Sequence, residues 1–273
     1  MKNSRTKNTV LNIIFGYIAL LGIKILALIN RRTFLQYLPI DYLGINSLYG
    51  NIITILSLPE VGVDTAFIYL LYEPIANHNN ERIASLYQWF KKLYTTLAIF
   101  VFVVGLAIVP FINLFITADL PVNNLINYYI LFLLNLVLSY IMAPKVALLT
   151  ASQEQRLNKI VVLISSSLLQ IIQICIIKIW ANFELYLFAT IITSIISNVL
   201  LEIVCSKTHK EIYIKKNKAE INKNTIISRI KEAILYRSSA VFVGGIDNIL
   251  ISSLVSTLAL GIYSNYFAII LLL

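Results

Sequence analysis

Lys24, Glu60, Asp64, Lys145, Arg237 and Asp247 are the candidate ionisable side chains at depth within runs that are otherwise apolar. At membrane depth each costs about 2.5–3.5 kcal/mol on insertion scales, so such groups face a cavity or an ionic partner rather than lipid. Tyr17, Lys24 and Arg31 recur every seven residues, with Arg32 beside the last. On an α-helix that spacing keeps all three in one narrow stripe. An aromatic ring and cations on one stripe suit an anionic ligand that also carries sugars, because guanidinium groups pair with phosphate and aromatic faces stack on sugar rings. Snorkelling of Arg31 and Arg32 into headgroups would satisfy the same residues, and the spacing does not choose between the two. Glu60 and Asp64 lie four apart and share a helix face. They could couple to a proton or cation, serve as charge partners for Lys24 or Lys145, or sit at the helix's inner, wetter end. Asp247 sits in a polar stretch with Arg237, Ser238, Ser239, Gly244, Gly245 and Asn248; it could carry a proton or pair with Arg237. Ser166, Gln170 and Gln173 share a face suited to hydrogen bonding between helices.

These residues must be held by elements that the composition already restricts. Of 273 residues, 59% are hydrophobic and 13% charged, with a mean hydropathy of +0.82. An ordinary soluble domain has about 25% charged residues, and a soluble fold of this size cannot hide so much apolar surface. A soluble enzyme and a disordered chain are both excluded. Spanning helices need about 20 mainly apolar residues, and eight runs qualify: 9–30, 43–72, 93–117, 124–149, 159–180, 184–206, 232–256 and 258–273. The expected fold is therefore all-α, a polytopic transmembrane bundle of about eight helices. Pro59 with Gly62, Pro110 and Pro144 should bend or break their runs. A signal peptide is the rival reading of the first run, but Asn30-Arg31-Arg32 follows it in place of a small-residue cleavage site. Cys175 and Cys205 lie in apolar segments without a CxxC spacing and read as small hydrophobes. No metal or cofactor is expected.

The net charge of +9 would suggest nucleic acid on a soluble protein. Here the basic residues lie mostly between apolar runs, where they set orientation, and no nucleic-acid partner is expected. With the N-terminus in the cytoplasm, sixteen Lys and Arg side chains fall on the inner side, against Arg31, Arg32 and Lys178 outside. A multi-pass protein of the cytoplasmic membrane with an inner N-terminus follows. The polar segment 207–231 carries eight of the inner cations and several isoleucines. It reads either as an amphipathic helix on anionic membrane lipids or as a solvated linker.

An internal echo divides the chain further. Residues 43–52 and 260–269 agree at six of ten positions, offset by 217: Leu43/Leu260, Gly44/Gly261, Ile45/Ile262, Ser47/Ser264, Tyr49/Tyr266 and Ile52/Ile269. Six runs separate the copies, so both point the same way, as in transporters built from two parallel lobes. The expected organisation is a six-helix lobe over 1–206, a basic cytoplasmic linker over 207–231, and two helices of a second lobe over 232–273. Two full lobes would need at least ~430 residues, so the chain reads as incomplete.

Several stretches resemble a known family. Arg32-Thr33-Phe34, Tyr42-Leu43-Gly44-Ile45-Asn46-Ser47-Leu48-Tyr49, Leu56-Ser57-Leu58-Pro59-Glu60-Val61-Gly62-Val63 with Ala66, and Leu71-Tyr72-Glu73-Pro74-Ile75-Ala76 are similar to the N-terminal region of bacterial polysaccharide-export flippases. These are the Wzx-like proteins of the multidrug/oligosaccharidyl-lipid/polysaccharide exporter superfamily. Ile246-Asp247-Asn248-Ile249-Leu250-Ile251-Ser252 and Gly261-Ile262-Tyr263-Ser264-Asn265-Tyr266 resemble the opening of that family's second lobe. The resemblance implies two six-helix lobes around a central cavity and an undecaprenyl-pyrophosphate-linked oligosaccharide repeat unit as substrate. It also implies alternating access, a role in capsule or exopolysaccharide synthesis, and polymerase and glycosyltransferases of the same pathway as partners. By chemistry and depth, Lys24, Arg31, Arg32 and Arg237, with Tyr17, are the substrate-binding candidates. Glu60, Asp64 and Asp247 are the ion-coupling candidates.

Three rivals remain. A drug or small-cation exporter of the same superfamily would favour a cavity dominated by acids. A membrane-embedded glycosyltransferase or polymerase would need clustered acidic or His residues on a large outer loop, and no enzyme signature is present, so no catalytic residue is expected. A nonfunctional fragment is the third. The charge asymmetry makes a direct prediction: a reporter fused after Lys218 should read cytoplasmic, with a phosphatase inactive and a fluorescent protein bright. The reverse readout would overturn the orientation.

Overall fold

The computed structural model describes residues 2–116, 122–214, 226, 228, 230 and 247–270. In lipid every backbone polar group must be satisfied within the protein, and an uninterrupted apolar run does this by coiling. The helices are α1 (Lys2–Tyr37), α2 (Ile40–Leu56), α3 (Leu58–Ala76), α4 (Asn80–Ile108) with a 3₁₀ extension (Val109–Phe115), α5 (Val122–Ala151), α6 (Gln155–Trp180), α7 (Phe183–Thr208), a short α8 (Lys210–Ile214), and α9 (Thr257–Ile270), which follows a π-turn (Ile251–Val255). No strand occurs among the described residues.

Helices α4 to α7 are long and apolar enough to cross a membrane, and α2 with α3 adds a fifth span if the bent pair counts as one. The predicted break in the second run falls at Ser57, where α2 and α3 meet at 42°. Pro59 sits in the first turn of α3, where its missing N–H costs nothing. Pro110 opens the 3₁₀ extension of α4, while Pro144 lies inside a continuous α5. Asn79 and Asn182 cap α4 and α7, their Oδ1 atoms accepting from Arg82 N and Leu185 N at 3.0 Å.

The faces turned away from the bundle are apolar: Ile99, Phe100 and Val103 on α4, Ile164 and Ile171 on α6, and Ile192, Ile195 and Val199 on α7 are all exposed. In a membrane these faces meet acyl chains. Inside, Phe67 stacks on Phe90 at 4.1 Å, and two buried tyrosines find backbone partners. Tyr49 OH donates to Leu125 O at 2.8 Å and Tyr129 OH to Gly105 O at 3.0 Å. Helices α5 and α7 are stitched by polar contacts. Ser194 donates to Asn135 Oδ1 at 2.6 Å, Asn198 Nδ2 to Leu138 O at 3.2 Å, and the buried Lys145 pairs with Glu202 at 2.8 Å.

The basic turns converge. His209 Nε2 lies 3.1 Å from Glu154 Oε2, joining the end of α7 to the α5–α6 turn, and Asn80 donates to Glu211, joining the start of α4 to α8. Gly22 faces Leu163 and Asn30 faces Gln170 and Gln173, so α1 and α6 run in the same direction. The start of α1 therefore lies at the end of the bundle that holds these turns. Of the 207–231 segment, α8 and residues 226, 228 and 230 are described, with Ile212 and Ile226 buried; the remainder of a surface helix or linker there lies outside the described residues.

Candidate functional site

Helix α1 packs against α6, and the seam between them is polar where the rest is apolar. Asn30 Nδ2 donates to Gln170 Oε1 and, at 2.9 Å, to Gln173 Oε1. Gln173 Nε2 in turn donates to Tyr186 O and Thr190 Oγ1, each at 3.2 Å. The glutamines thus bond between helices, as their shared face predicts. Asn30 is 3% exposed, and its Oδ1 has no hydrogen-bond partner among the described residues.

Beside this seam lies a cavity of ≈ 230 Å³ whose lining includes Lys24, Asn30, Arg31, Asn46, Gln170 and Tyr186. Lys24 and Arg31 reach it because seven residues bring α1 back to nearly the same azimuth. Phe34, one turn further on, forms an apolar wall with Tyr186, their ring centroids 5.4 Å apart. Arg31 reaches across to the C-terminal helix: Nε donates to Asn265 Oδ1 at 2.7 Å and Nη2 to Ser264 Oγ at 3.2 Å. Tyr17, the first member of the stripe, is 65% exposed and lies off the cavity lining, as does the exposed Arg32. Arg237 lies outside the described residues, and Asp247 is exposed at the start of the described part of its helix.

The two acids of α3 sit elsewhere, among α3, α4 and α5. Glu60 and Asp64 are half-buried. Ser139 Oγ lies 3.3 Å from Glu60 Oε2, and Tyr94 OH donates to Asp64 Oδ1. Tyr140, next to Ser139, is buried with a hydroxyl that has no hydrogen-bond partner among the described residues. Lys145 is not the acids' partner, because Glu202 holds it. Tyr94, Ser139 and Tyr140 were not singled out by the sequence: hydroxyl residues in apolar helices carry no spacing signal toward acids on a different helix.

This arrangement of helices has a solved counterpart. The chain superposes on a multidrug resistance MATE family transporter of the MOP superfamily, in an inward-facing conformation, with a TM-score of 0.69, 12% identity and 96% of this chain covered. The chain spans 57% of that transporter's length. No protein-family model and no curated protein matches the sequence. The chain is thus an all-helical, multi-pass membrane protein that resembles that structure in fold; at this identity the likeness carries the architecture alone.

The acid cluster yields a paired prediction. Tyr94→Phe strips a hydroxyl from a half-buried carboxylate and should cost about 1–3 kcal/mol. Tyr140→Phe removes a hydroxyl with no hydrogen-bond partner among the described residues and should be near neutral. Thermal unfolding in detergent measures both, and equal losses would contradict the assigned bonds.

Proposed function

We propose that this protein takes part in moving an undecaprenyl-pyrophosphate-linked oligosaccharide across the cytoplasmic membrane, as a flippase for surface polysaccharide synthesis. The observation that carries the reading is the lining of the α1 cavity: two cations, Lys24 and Arg31, beside the neutral amides Asn30, Asn46 and Gln170. Cations suit a diphosphate, and amides suit sugar hydroxyls. Asn30 Oδ1, which has no hydrogen-bond partner among the described residues, would accept from a sugar hydroxyl. The cavity falls below the roughly 300–1,000 Å³ of sites that engulf a drug-sized molecule. It is of a size for the diphosphate with part of the first sugar, while the rest of the repeat unit and the long polyprenyl tail lie outside it.

A multidrug or small-cation exporter is equally compatible with the fold. A cation-lined cavity would repel cationic drugs, which is the observation favouring the flippase. The acids of α3 support a second element of the same reading: coupling to a proton or cation through Glu60 and Asp64, which lie together, partly shielded from water and away from the cations.

Two measurements test this. Lys24→Ala and Arg31→Ala should each weaken binding of undecaprenyl pyrophosphate to the purified protein in nanodiscs by roughly 10–100-fold, the range for losing a hydrogen bond to a charged group; unchanged affinity in both would remove the anion site. Glu60→Gln with Asp64→Asn should abolish the dependence of transport on the ion gradient, and a doubly substituted protein that still responds to collapse of that gradient would exclude coupling through them.

A further inference from the structure

The two copies of the internal repeat touch one another, and the contact is reciprocal. A side chain added at Gly44 would strike the carbonyl oxygen of Thr257, and one added at Gly261 would lie 2.7 Å from the carbonyl oxygen of Ile40 and 3.3 Å from the nitrogen of Gly44. Adding the repeat offset of 217 to Ile40 gives Thr257, and to Gly44 gives Gly261. Exchanging the copies therefore maps the contact onto itself, as a local two-fold axis between α2 and α9 would require. Glycine is needed at both positions because the backbones approach too closely for a Cβ.

Beside this crossing, the Arg31 guanidinium is held by Asn265 Oδ1 and Ser264 Oγ of α9. Ser264 and Asn265 lie one turn beyond Gly261, so the residue that faces the α1 cavity is also tied to the helix that seals the crossing. Both acceptors on α9 are neutral. An oxyanion can take two guanidinium N–H groups at once in shorter, charge-assisted bonds, and would displace them.

We propose that Ser264 and Asn265 are positioning residues that hold Arg31 as a latch across the α2–α9 crossing, and that an anion arriving at Arg31 releases the latch and frees α9 to part from α2. This rests on the reading of the cavity as an anion site for its second half only; the latch itself stands on the hydrogen bonds and the glycine contact. The crossing lies where α1 ends and α2 begins, at the end of the bundle opposite the basic turns. In the orientation read from the charges it closes the cavity toward the outside.

The test places spin labels at Asp41→Cys and Leu258→Cys, in the full chain carrying Cys175→Ser and Cys205→Ala, reconstituted in nanodiscs. The parent should give one short interlabel distance. Gly44→Ala, which forces the backbones apart, should lengthen it and calibrates the report. Ser264→Ala with Asn265→Ala should add a population longer by at least about one helical turn, ~5.4 Å. Saturating inorganic pyrophosphate should produce that population in the parent and no further change in the doubly substituted protein. A Ser264→Ala/Asn265→Ala distribution identical to the parent's would overturn the latch. Calorimetry with pyrophosphate separates the two ideas. Arg31-dependent binding without any change in distance would reject the latch and leave the anion site standing. Opening by the double substitution without pyrophosphate binding would support the latch and reject the anion site.

Discussion

The constraint that organises this molecule is the absence of water around its middle. A polar group placed there must find its partner inside the protein. The seam between α1 and α6 is built on that requirement. Asn30 Nδ2 bonds to Gln170 and Gln173 across two helices that are otherwise joined by apolar contact, and the amide chain continues through Gln173 into α7. This fixes the rotation of α1 about its own axis, and that rotation turns Lys24 and Arg31 toward the cavity rather than toward lipid. A one-residue rotation of α1 would strand Asn30 and move both cations off the lining.

The separation of charge follows from the same rule. Cations line the α1 hollow, the acids of α3 lie among α3, α4 and α5, and the buried Lys145 is paired locally with Glu202. Because Lys145 is already committed, neither Glu60 nor Asp64 needs it. Their oxygens are met by hydroxyl groups instead, Ser139 and Tyr94. Hydroxyl partners leave a carboxylate free to exchange a proton or ion, which a salt bridge to a fixed ammonium would oppose.

The sequence disclosed those features that depend on periodicity or charge count. Apolar run lengths located α4 to α7, the proline at position 59 located the break between α2 and α3, and the seven-residue spacing placed Lys24 and Arg31 on one lining. Periodicity could not say where that lining ends: Tyr17 belongs to the stripe yet lies away from the hollow, because the hollow is bounded by α2, α6 and α7 and not by α1 alone. Nor could it supply partners across helices. The bridge of Lys145 to Glu202, the hydroxyl groups around the acids and the grip of α9 on Arg31 are products of packing, and a single helix's pattern is silent about its neighbours. The repeat was visible as ten loosely matching residues; that its copies meet at their glycines was not.

The turn between α6 and α7 has a mechanical consequence. Only Ala181 and Asn182 separate these helices; Ala181 adopts a left-handed φ of 47°, and Asn182 caps the next helix. So short a hinge, reinforced by the Gln173–Thr190 bond, leaves the pair little freedom to splay. Gln170 and Tyr186 therefore behave as one stiff jaw of the hollow. Changes in its width must come from the opposite side, where α1, α2 and α9 meet.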